Sequence, residues 1–600
     1  MEKETKQKKT STKATAPKAE KSTTVKVAKP RTATKTVTVV DVEEKTTKAP
    51  AKKTCAKKET VKKETVKKET TKKATTAKKA ATKKEVKPVE VVKTVEVETS
   101  IFEKASRLPN GEVMDIVEEP TQNKTKVLYV ASECLPFCAT GGLADVAGSL
   151  PKFIAQNDPN IDMRVVLPLY SDIPSQYRDN FTFIGHKNIS VAWRQLYLGV
   201  FSYKMDNVTY YFLDNEYYFK RNGGIYSYYD DGERFAYVSN AVIEMLSMVD
   251  FKPDIIHAND WQSALIPIYL KTRYKDDPEL NKIKTVFTLH NSEYQGKFDI
   301  KIMGDVFGID TRYRSLVEYN KDLNLVKGAI VTCDKFTTVS PTYAEEILTS
   351  PEFSNGLNPI ISENRYKTSG ILNGIDYDFY NPKTDDTVFK NYDIDSFEAK
   401  KDNKVELQKM FGLNVDPEIP MLSIVTRMAN HKGIDLIKDG IEQILSQRVQ
   451  LVIVGSGTQM YENFFKYLEQ KYQGKVKASI GYSNTLARKA YAASDIFIMP
   501  SRTEPCGLSQ MVASRYGAVP IVRETGGLKD SIRDFGCENG GNGYTFYNYS
   551  SHDLVYSINR AIQDFYNKDA WVEKVKTCMK QDFTWKGSAI KYIELYRELV

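Results

Sequence analysis

Short, almost wholly apolar runs that alternate with amphipathic stretches are the feature that most constrains this fold. One series occupies residues 126–131, 163–168, 254–257, 284–290 and 335–340, and a second occupies 421–426, 449–454, 496–499 and 518–522. Helical patterns, such as those at 236–247 and 341–348, lie between the runs. Strands that are apolar along their whole length are typical of parallel sheets covered on both faces by helices. The pattern predicts an α/β fold with two doubly wound, Rossmann-like domains that face a cleft.

The first hundred residues differ from the rest of the chain. They contain no Phe, Trp, Tyr, Leu or Ile, and carry 29 Lys and Arg against 13 Asp and Glu. Such a segment cannot bury enough apolar surface to offset the entropy of ordering, so we expect a disordered tail. It is either a solubilising extension or a weak binder of polyanions. A transit peptide is disfavoured, since transit peptides are rich in Arg and Ser and poor in acidic residues.

The basic character of the chain belongs to this tail alone. Residues 101–600 carry 57 Lys and Arg against 64 Asp and Glu, a net charge of −7. A mildly acidic body argues against a nucleic-acid-binding core.

Cysteine and histidine spacing predicts no metal site. Among seven cysteines only Cys134 and Cys138 are close in sequence, and the five histidines are scattered. Neither set has the spacing of zinc ligands, and we expect reduced thiols. No secretory signal and no apolar run of 18 residues occurs in the sequence, which predicts a cytoplasmic location.

The tetrapeptide Thr-Gly-Gly-Leu occurs twice, at residues 140–143 and 525–528, each time just after a strand-like run. Glycine pairs after a strand let the backbone approach a ligand and can present N–H groups to a phosphate. A four-residue repeat can also arise by chance. The candidate ligand-binding residues in the two copies are Thr140, Gly141, Gly142, Thr525, Gly526 and Gly527. No Gly-x-Gly-x-x-Gly follows the first strand and no Walker A motif is present, so NAD or P-loop binding has little support.

The densest cluster of polar and apolar signals lies at residues 491–508. An apolar strand ends near Pro500, a polar turn carries Arg502 and Glu504, and a helix is expected to begin near residues 506–508. Glu504 could serve only as a favourable charge at the N-terminus of that helix. The loop after a strand of a doubly wound domain is, however, where ligand groups converge, so we favour a functional role.

Eight motifs together resemble the bacterial glycogen synthases and plant starch synthases. They are residues 140–146 (Thr-Gly-Gly-Leu-Ala-Asp-Val), 257–261 (His-Ala-Asn-Asp-Trp), 288–291 (Thr-Leu-His-Asn), 294–296 (Tyr-Gln-Gly), 338–343 (Thr-Val-Ser-Pro-Thr-Tyr), 370–376 (Gly-Ile-Leu-Asn-Gly-Ile-Asp), 501–510 (Ser-Arg-Thr-Glu-Pro-Cys-Gly-Leu-Ser-Gln) and 523–528 (Arg-Glu-Thr-Gly-Gly-Leu). The resemblance extends from about residue 126 to the C-terminus.

This resemblance implies a retaining glucosyltransferase of the GT-B fold. Such an enzyme transfers glucose from ADP-glucose to the non-reducing end of an α-1,4-glucan, with no cofactor and no metal. The resemblance implies an N-terminal glucan-side domain at 125–368, a C-terminal nucleotide-sugar domain at 369–584, and a helix at 585–600 that crosses back to the first domain. The composition adds a tail and linker at 1–124.

The resemblance also implies catalytic roles. Glu504 matches the essential acid near the donor glucose, either as nucleophile or as a group that holds the sugar, and a front-face mechanism is the usual inference. Arg427 and Lys432 match the pair that binds the leaving diphosphate. His290 and Asp260 match residues of the first domain that line the reaction centre.

The remaining substrate-binding residues implied by the family motifs are Asp145, Asn291, Asn373, Tyr482, Cys506, Gly507 and Leu508. Tyr482 resembles the residue that stacks on the nucleobase, and a buried core tyrosine is the alternative. Cys506 is expected to pack beside the site, with no sign that it is a nucleophile.

One position departs from the family pattern. Family members commonly have lysine before the first Thr-Gly-Gly-Leu, where this chain has Ala139. A charge-assisted contact of about 1.5–3 kcal/mol is therefore missing or supplied elsewhere. Three alternatives remain. The donor is UDP-glucose, the enzyme is a phosphorylase with pyridoxal phosphate, or the chain is a glucan-associated protein with weakened catalysis and a polyanion-binding tail.

Overall fold

The computed structural model describes residues 124–481 and 483–600. The basic tail and its expected disorder and polyanion binding lie outside these residues, as does Tyr482, so those expectations stay predictions. No helix within the described residues is both long and apolar enough to cross a membrane.

The first half of the described chain forms a nine-stranded sheet and a small three-stranded sheet. Their strands are β1 (Thr125–Val130), β2 (Ile161–Pro168), β3 (Thr182–Val191), β4 (Arg194–Met205), β5 (Val208–Asp214), β6 (Ile255–Asn259), β7 (Lys284–Leu289), β8 (Lys297–Asp299), β9 (Glu318–Tyr319), β10 (Asp322–Asn324), β11 (Lys335–Thr338) and β12 (Thr368–Gly370). The large sheet has the order β12-β11-β7-β6-β1-β2-β5-β4-β3, and the small one has the order β8-β10-β9.

Seven strands of the large sheet, β12 through β5 in that order, run parallel. The sheet ends in an antiparallel hairpin, β3–β4. Within this sheet the chain passes first through β1, proceeds to one side through β2, and returns to the other side through β6. The strand order therefore reverses between β1 and β6, the position at which doubly wound sheets form a crevice.

The second half forms a six-stranded sheet in which every neighbouring pair is parallel. Its strands are β13 (Met421–Val425), β14 (Gln450–Gly455), β15 (Val476–Ile480), β16 (Ile496–Met499), β17 (Val519–Arg523) and β18 (Tyr544–Phe546). The order β15-β14-β13-β16-β17-β18 is that of the Rossmann fold, and its reversal lies between β13 and β16. The predicted α/β architecture is confirmed.

Helices cover both large sheets. They are α1 (Gly142–Asn157), α2 (Ser175–Arg178), α3 (Glu216–Phe219), α4 (Asp231–Glu244), α5 (Asp260–Ser263), α6 (Leu265–Lys271), α7 (Arg314–Val317), α8 (Leu325–Thr332), α9 (Pro341–Thr349), α10 (Pro351–Ser354), α11 (Asn358–Glu363), α12 (Lys400–Phe411), α13 (Ile434–Ser446), α14 (Gln459–Lys471), α15 (Asn484–Ala493), α16 (Ser509–Arg515), α17 (Gly526–Ser531), α18 (Ser551–Tyr566), α19 (Lys568–Met579) and α20 (Lys586–Arg597).

The last helix packs with the first sheet. Trp585, Tyr592 and Tyr596 are buried in the same apolar cluster as β1 and β6. The Tyr596 hydroxyl lies 2.7 Å from Nδ1 of His257 on β6. The C-terminal helix α20 therefore packs against the core formed by the N-terminal half of the described chain.

Candidate active site

The loops at the two strand-order reversals carry most of the predicted catalytic residues. In the first sheet, the loop after β1 leads to the first Thr-Gly-Gly-Leu, and Asp260 follows β6. In the second sheet, Arg427 and Lys432 follow β13, and Glu504 follows β16. Parallel strands end at one edge of a sheet, so the fold collects these side chains at the carboxyl edges of the two sheets.

Glu504 and Lys432 form a tight ion pair. The Lys432 ammonium lies 2.6 Å from Glu504 Oε2, and the Ser501 hydroxyl donates to the same oxygen at 2.9 Å. Glu504 is buried, with 5% of its surface exposed. The turn after Lys432 passes so close to β16 that a Cβ on Gly433 would lie 2.0 Å from the Pro500 carbonyl oxygen. Glycine there lets the lysine reach the glutamate.

Arg427 is exposed and has no carboxylate partner among residues 124–481 and 483–600. Its guanidinium lies 3.5 Å from the hydroxyl of Tyr294, which belongs to the N-terminal half of the chain. An unpaired arginine at the mouth of a cleft, across from a phenol, is available to an anionic ligand.

His290 and Asp260 are joined through backbone and amide groups. Asp260 Oδ1 accepts from the His290 backbone N–H at 2.7 Å, and His290 Nε2 lies 2.9 Å from Asn259 Oδ1. The Asn259 amide group donates to the Val130 carbonyl, so its oxygen faces the imidazole and Nε2 carries the proton. Burial lowers the pKa of His290 to about 3 and raises that of Asp260 to about 7. The histidine is therefore neutral at physiological pH.

Asn373 and Cys506 meet on the second half of the site. Both are buried, and burial raises the pKa of the Cys506 thiol to about 12, so it is no thiolate at neutral pH. Asn373 Oδ1 is buried without a hydrogen-bond partner in the described part of the chain. A buried acceptor without a partner is costly, which makes this oxygen a candidate for a ligand hydroxyl. Asn291 instead holds its own loop, accepting from the Glu293 N–H at 2.9 Å.

The first Thr-Gly-Gly-Leu is exposed to solvent, but two of its backbone N–H groups have a protein acceptor. Residues 140–142 are exposed, and the backbone N–H groups of Thr140 and Gly141 both donate to Glu133 Oε2. Burial raises the pKa of Glu133 to about 7, although these two donors oppose the shift. Asp145 on the following helix accepts from the Tyr380 hydroxyl at 3.3 Å, and burial raises its pKa to about 6. The Glu133 carboxylate thus accepts from the backbone N–H groups that were expected to bind phosphate.

The second Thr-Gly-Gly-Leu is buried, and its donors have protein partners. The Gly526 N–H donates to Glu346, and the Gly527 N–H lies 3.1 Å from the Glu504 carbonyl oxygen. A Cβ on Gly527 would lie 2.2 Å from the Cys506 carbonyl oxygen. The expectation that this copy presents amides to a diphosphate does not agree with this arrangement, because the same amides support the Glu504 loop.

The two halves of the site touch across the cleft. A Cβ on Gly142 would lie 3.9 Å from Leu508 Cδ1, and the Ser340 hydroxyl donates to the Pro505 carbonyl at 2.5 Å. Gly507 takes a left-handed conformation, φ +72°, which turns the chain into α16 at Leu508. The loop at Gly142 therefore lies against Leu508, and the loop at Ser340 against Pro505.

The raised pKa of Glu133 predicts that the thermal stability of the protein depends on pH. Because its pKa is about 7 in the fold and near 4.5 in the unfolded chain, its contribution to stability is full below pH 4.5 and is lost as pH rises to 7. Glu133→Gln removes this titration while keeping an acceptor oxygen. We expect the melting temperature of the variant, relative to the unsubstituted protein, to rise between about pH 4.5 and 7 and to level off above pH 7. Calorimetric curves that stay parallel over this range would contradict the assignment.

Comparisons with known proteins agree with this geometry. Residues 126–363 match the starch synthase catalytic domain, and residues 406–577 match the glycosyl transferases group 1 domain. A glycogen synthase of Clostridium botulinum (strain Alaska E43 / Type E3) is 47% identical over 478 residues, covering 79% of this chain and 99% of that protein. The chain belongs to the glycogen and starch synthase family.

Further relatives extend the comparison. A glycogen synthase of Bacillus cereus (strain B4264) is 43% identical over 477 residues, again 79% of this chain and 99% of that protein. The catalytic domain of starch synthase IV from Arabidopsis thaliana, solved with ADP and acarbose, has a TM-score of 0.74 at 32% identity, covering 79% of this chain and 99% of that one. Membership of this family makes the protein a glycosyltransferase and confirms the GT-B fold.

Three residues at the site escaped the sequence analysis. Glu133 and Glu346 hold the two Thr-Gly-Gly-Leu segments, and Asn259 orients His290. Asn259 stands beside Asp260 in a motif already recognised, so its position gave a usable signal. The two glutamates gave none, because their partners are defined only by the fold.

Proposed function

We propose that the protein transfers glucose from ADP-glucose to the non-reducing end of an α-1,4-glucan with retention of configuration. The observation that carries the proposal is the Lys432–Glu504 pair, which lies at the strand-order reversal of the second sheet, with Arg427 on the same loop as Lys432. Support for the donor comes from the starch synthase IV relative, which was solved with ADP.

The leaving diphosphate is assigned to the two cations. Transfer of the sugar develops negative charge on the diphosphate, and fixed positive groups in a closed cleft stabilise such charge strongly. Lys432 offers a compact charge already fixed by Glu504, and Arg427 offers a forked pair of donors on the cleft surface. Domain closure over the donor excludes the water that would otherwise hydrolyse it.

The sugar is assigned to Glu504, Asn373 and the neutral His290. As the bond to the diphosphate breaks, the glucose ring gains positive charge, which a nearby carboxylate stabilises. Asn373 offers an unpaired acceptor for a sugar hydroxyl. A neutral imidazole places no positive charge beside the developing oxocarbenium ion, and its pKa of about 3 keeps it neutral throughout.

A donor panel tests the proposal. Purified protein is incubated with glycogen and radiolabelled ADP-, UDP- or GDP-glucose, and labelled polymer is then digested with an exo-acting α-1,4-glucanase. We expect incorporation mainly from ADP-glucose and complete release of the label. Preference for UDP-glucose would favour the alternative donor, and no incorporation from any donor would favour weakened catalysis.

Ala139→Lys tests whether the missing family lysine limits donor binding. Ala139 is exposed beside Thr140, where a lysine would place a positive charge for an anionic ligand. We expect the KM for ADP-glucose to fall by about tenfold, as one charge-assisted contact is worth about 1.5–3 kcal/mol. Ala139→Met, which has similar bulk but no charge, is the control. An unchanged KM in the lysine variant would show that the charge is supplied elsewhere.

We also propose domain boundaries near residues 125, 369 and 585, and a cytoplasmic location. The boundaries are supported by strands β1–β12, which end at Gly370, and by the second sheet, which begins at Met421. The location is supported by the free thiols of Cys134 and Cys138, which lie opposite each other in a short antiparallel bridge yet form no disulfide.

A further inference from the structure

Helices α9 and α17, one from each half of the molecule, hold each other's N-termini with carboxylates. On α17, Asp530 accepts from the Thr342 N–H at 2.8 Å and from the Thr342 hydroxyl at 2.6 Å. On α9, Glu346 accepts from the Thr525 hydroxyl at 2.9 Å and from the Gly526 N–H at 3.1 Å. The first N–H groups of a helix lack acceptors within it, so each carboxylate satisfies donors that would otherwise be unpaired.

The segment that Glu346 binds also contacts the loop of residues 500–508, which carries Glu504 and is called the catalytic loop below. The next amide, Gly527 N–H, lies 3.1 Å from the Glu504 carbonyl oxygen and 3.2 Å from that of Pro505. A Cβ on Gly526 would lie 2.0 Å from the Glu504 carbonyl oxygen, so the glycine turn rests directly on the backbone of the catalytic acid. Only one turn of backbone therefore separates Glu346 from Glu504.

We propose that Glu346 is a positioning residue, which fixes the second Thr-Gly-Gly-Leu against the first domain and thereby holds Glu504 in its productive place. This inference rests on the proposed function, in which Glu504 acts at the donor glucose. Glu346 has its oxygens engaged by Thr525 and Gly526 and touches no substrate in this scheme. A displacement of about 1 Å at a reacting group can cost about a hundredfold in rate, so loss of this support affects turnover before binding.

The chemistry at Glu346 predicts a graded response. Alanine leaves the Gly526 N–H and the fully buried Thr525 hydroxyl without acceptors. Glutamine keeps one acceptor oxygen in the same place and loses only the charge and the second acceptor. Glu346→Gln is therefore the conservative variant that restores the contact, and it also covers the case in which Glu346→Ala folds poorly.

Asp530 supplies a matched control in the same interface. Asp530→Ala removes the reciprocal contact to Thr342 and leaves in place the hydrogen bond from the Ser340 hydroxyl to the Pro505 carbonyl, which also joins this helix end to the loop of Glu504. Both alanine variants weaken adhesion between α9 and α17, but only Glu346→Ala releases the turn under Glu504. Glu345→Ala is a second control, since Glu345 is exposed on α9 and pairs only loosely, at 3.8 Å, with Arg365.

The experiment compares the full-length protein with these variants. Glucan elongation gives kcat and KM for ADP-glucose, titration calorimetry with ADP gives Kd, and scanning calorimetry gives Tm. For Glu346→Ala we expect kcat to fall by about 10- to 100-fold, with KM and the ADP Kd within about twofold. Glu346→Gln is expected to recover most of the rate, and Asp530→Ala and Glu345→Ala to keep kcat within about threefold.

Three results would overturn the inference. Equal kcat in Glu346→Ala and the unsubstituted protein would remove any positioning role. Equal losses in Glu346→Ala and Asp530→Ala, in step with Tm, would reduce Glu346 to interface adhesion. No elongation by the unsubstituted protein would overturn the proposed function itself, and this inference with it.

Discussion

Glu504→Gln is expected to lower the rate of glucan elongation by about 10²–10³-fold while leaving the fold intact. Glutamine has the same shape and retains an oxygen that can accept from the Ser501 hydroxyl, now 2.9 Å from Glu504 Oε2. It lacks the negative charge that stabilises the developing positive charge on the sugar. Loss of a preorganised electrostatic group of this kind costs about 10²–10³-fold in kcat. Initial rates with ADP-glucose and glycogen measure the effect.

Glu524→Gln is the matched control for this variant. Glu524 lies just before the second Thr-Gly-Gly-Leu, and its carboxylate accepts from the Thr545 hydroxyl at 2.7 Å. Its variant should elongate glucan at the normal rate. Size-exclusion chromatography and scanning calorimetry should show folded protein for both. Near-normal elongation by Glu504→Gln would refute the catalytic role of Glu504.

Apolar strands were predictable because parallel strands buried on both faces leave a continuous apolar run. The run at 496–499 coincides with β16, and the run at 126–131 differs from β1 by one residue at each end. The β3–β4 hairpin was missed because it lies at the edge of the sheet. Most of its side chains are exposed or half-buried, so its sequence is a mixture of polar and apolar residues.

The C-terminal sheet shows the same limit. Strand β15 (Val476–Ile480) was missed because its sequence, Val-Lys-Ala-Ser-Ile, alternates polar and apolar residues at the edge of the sheet. Strand β18 has only three residues and carries too little pattern to be distinguished from a loop. In both cases pairing with a longer central strand supplies the order that the local sequence lacks.

The same limit, that a short stretch of sequence shows only local patterns, decides which residues of the candidate site were predicted. Residues inside local motifs, such as Glu504 and His290, were found because their neighbours carry the signal. Glu346 was not, since its partners Thr525 and Gly526 lie about 180 residues away and use a hydroxyl and a backbone N–H. A backbone donor has no side-chain signature in a sequence, so only the fold identifies its acceptor.

Lys432→Met is expected to reduce kcat by about 10²–10³-fold, because Lys432 both fixes Glu504 and places positive charge for the leaving diphosphate. Its ammonium lies 2.6 Å from Glu504 Oε2, and 17% of its side chain is exposed. Methionine keeps the length and bulk of the stem without the charge. Lys432→Arg should recover little of the rate, since a planar guanidinium needs space that the tight turn at Gly433 against Pro500 does not allow.

The two roles of Lys432 can be separated by its coupling to Glu504. If both residues act as one unit, the double variant Lys432→Met/Glu504→Gln should be about as slow as the slower single variant. If Lys432 also binds the diphosphate, its single variant should weaken ADP binding, whereas Glu504→Gln should not. Lys438→Met, which removes an exposed lysine on α13, is the control for the loss of one positive charge elsewhere. A Lys432→Met variant with kcat and ADP affinity within twofold of normal would contradict both roles, because no other lysine or arginine among residues 124–481 and 483–600 pairs with Glu504.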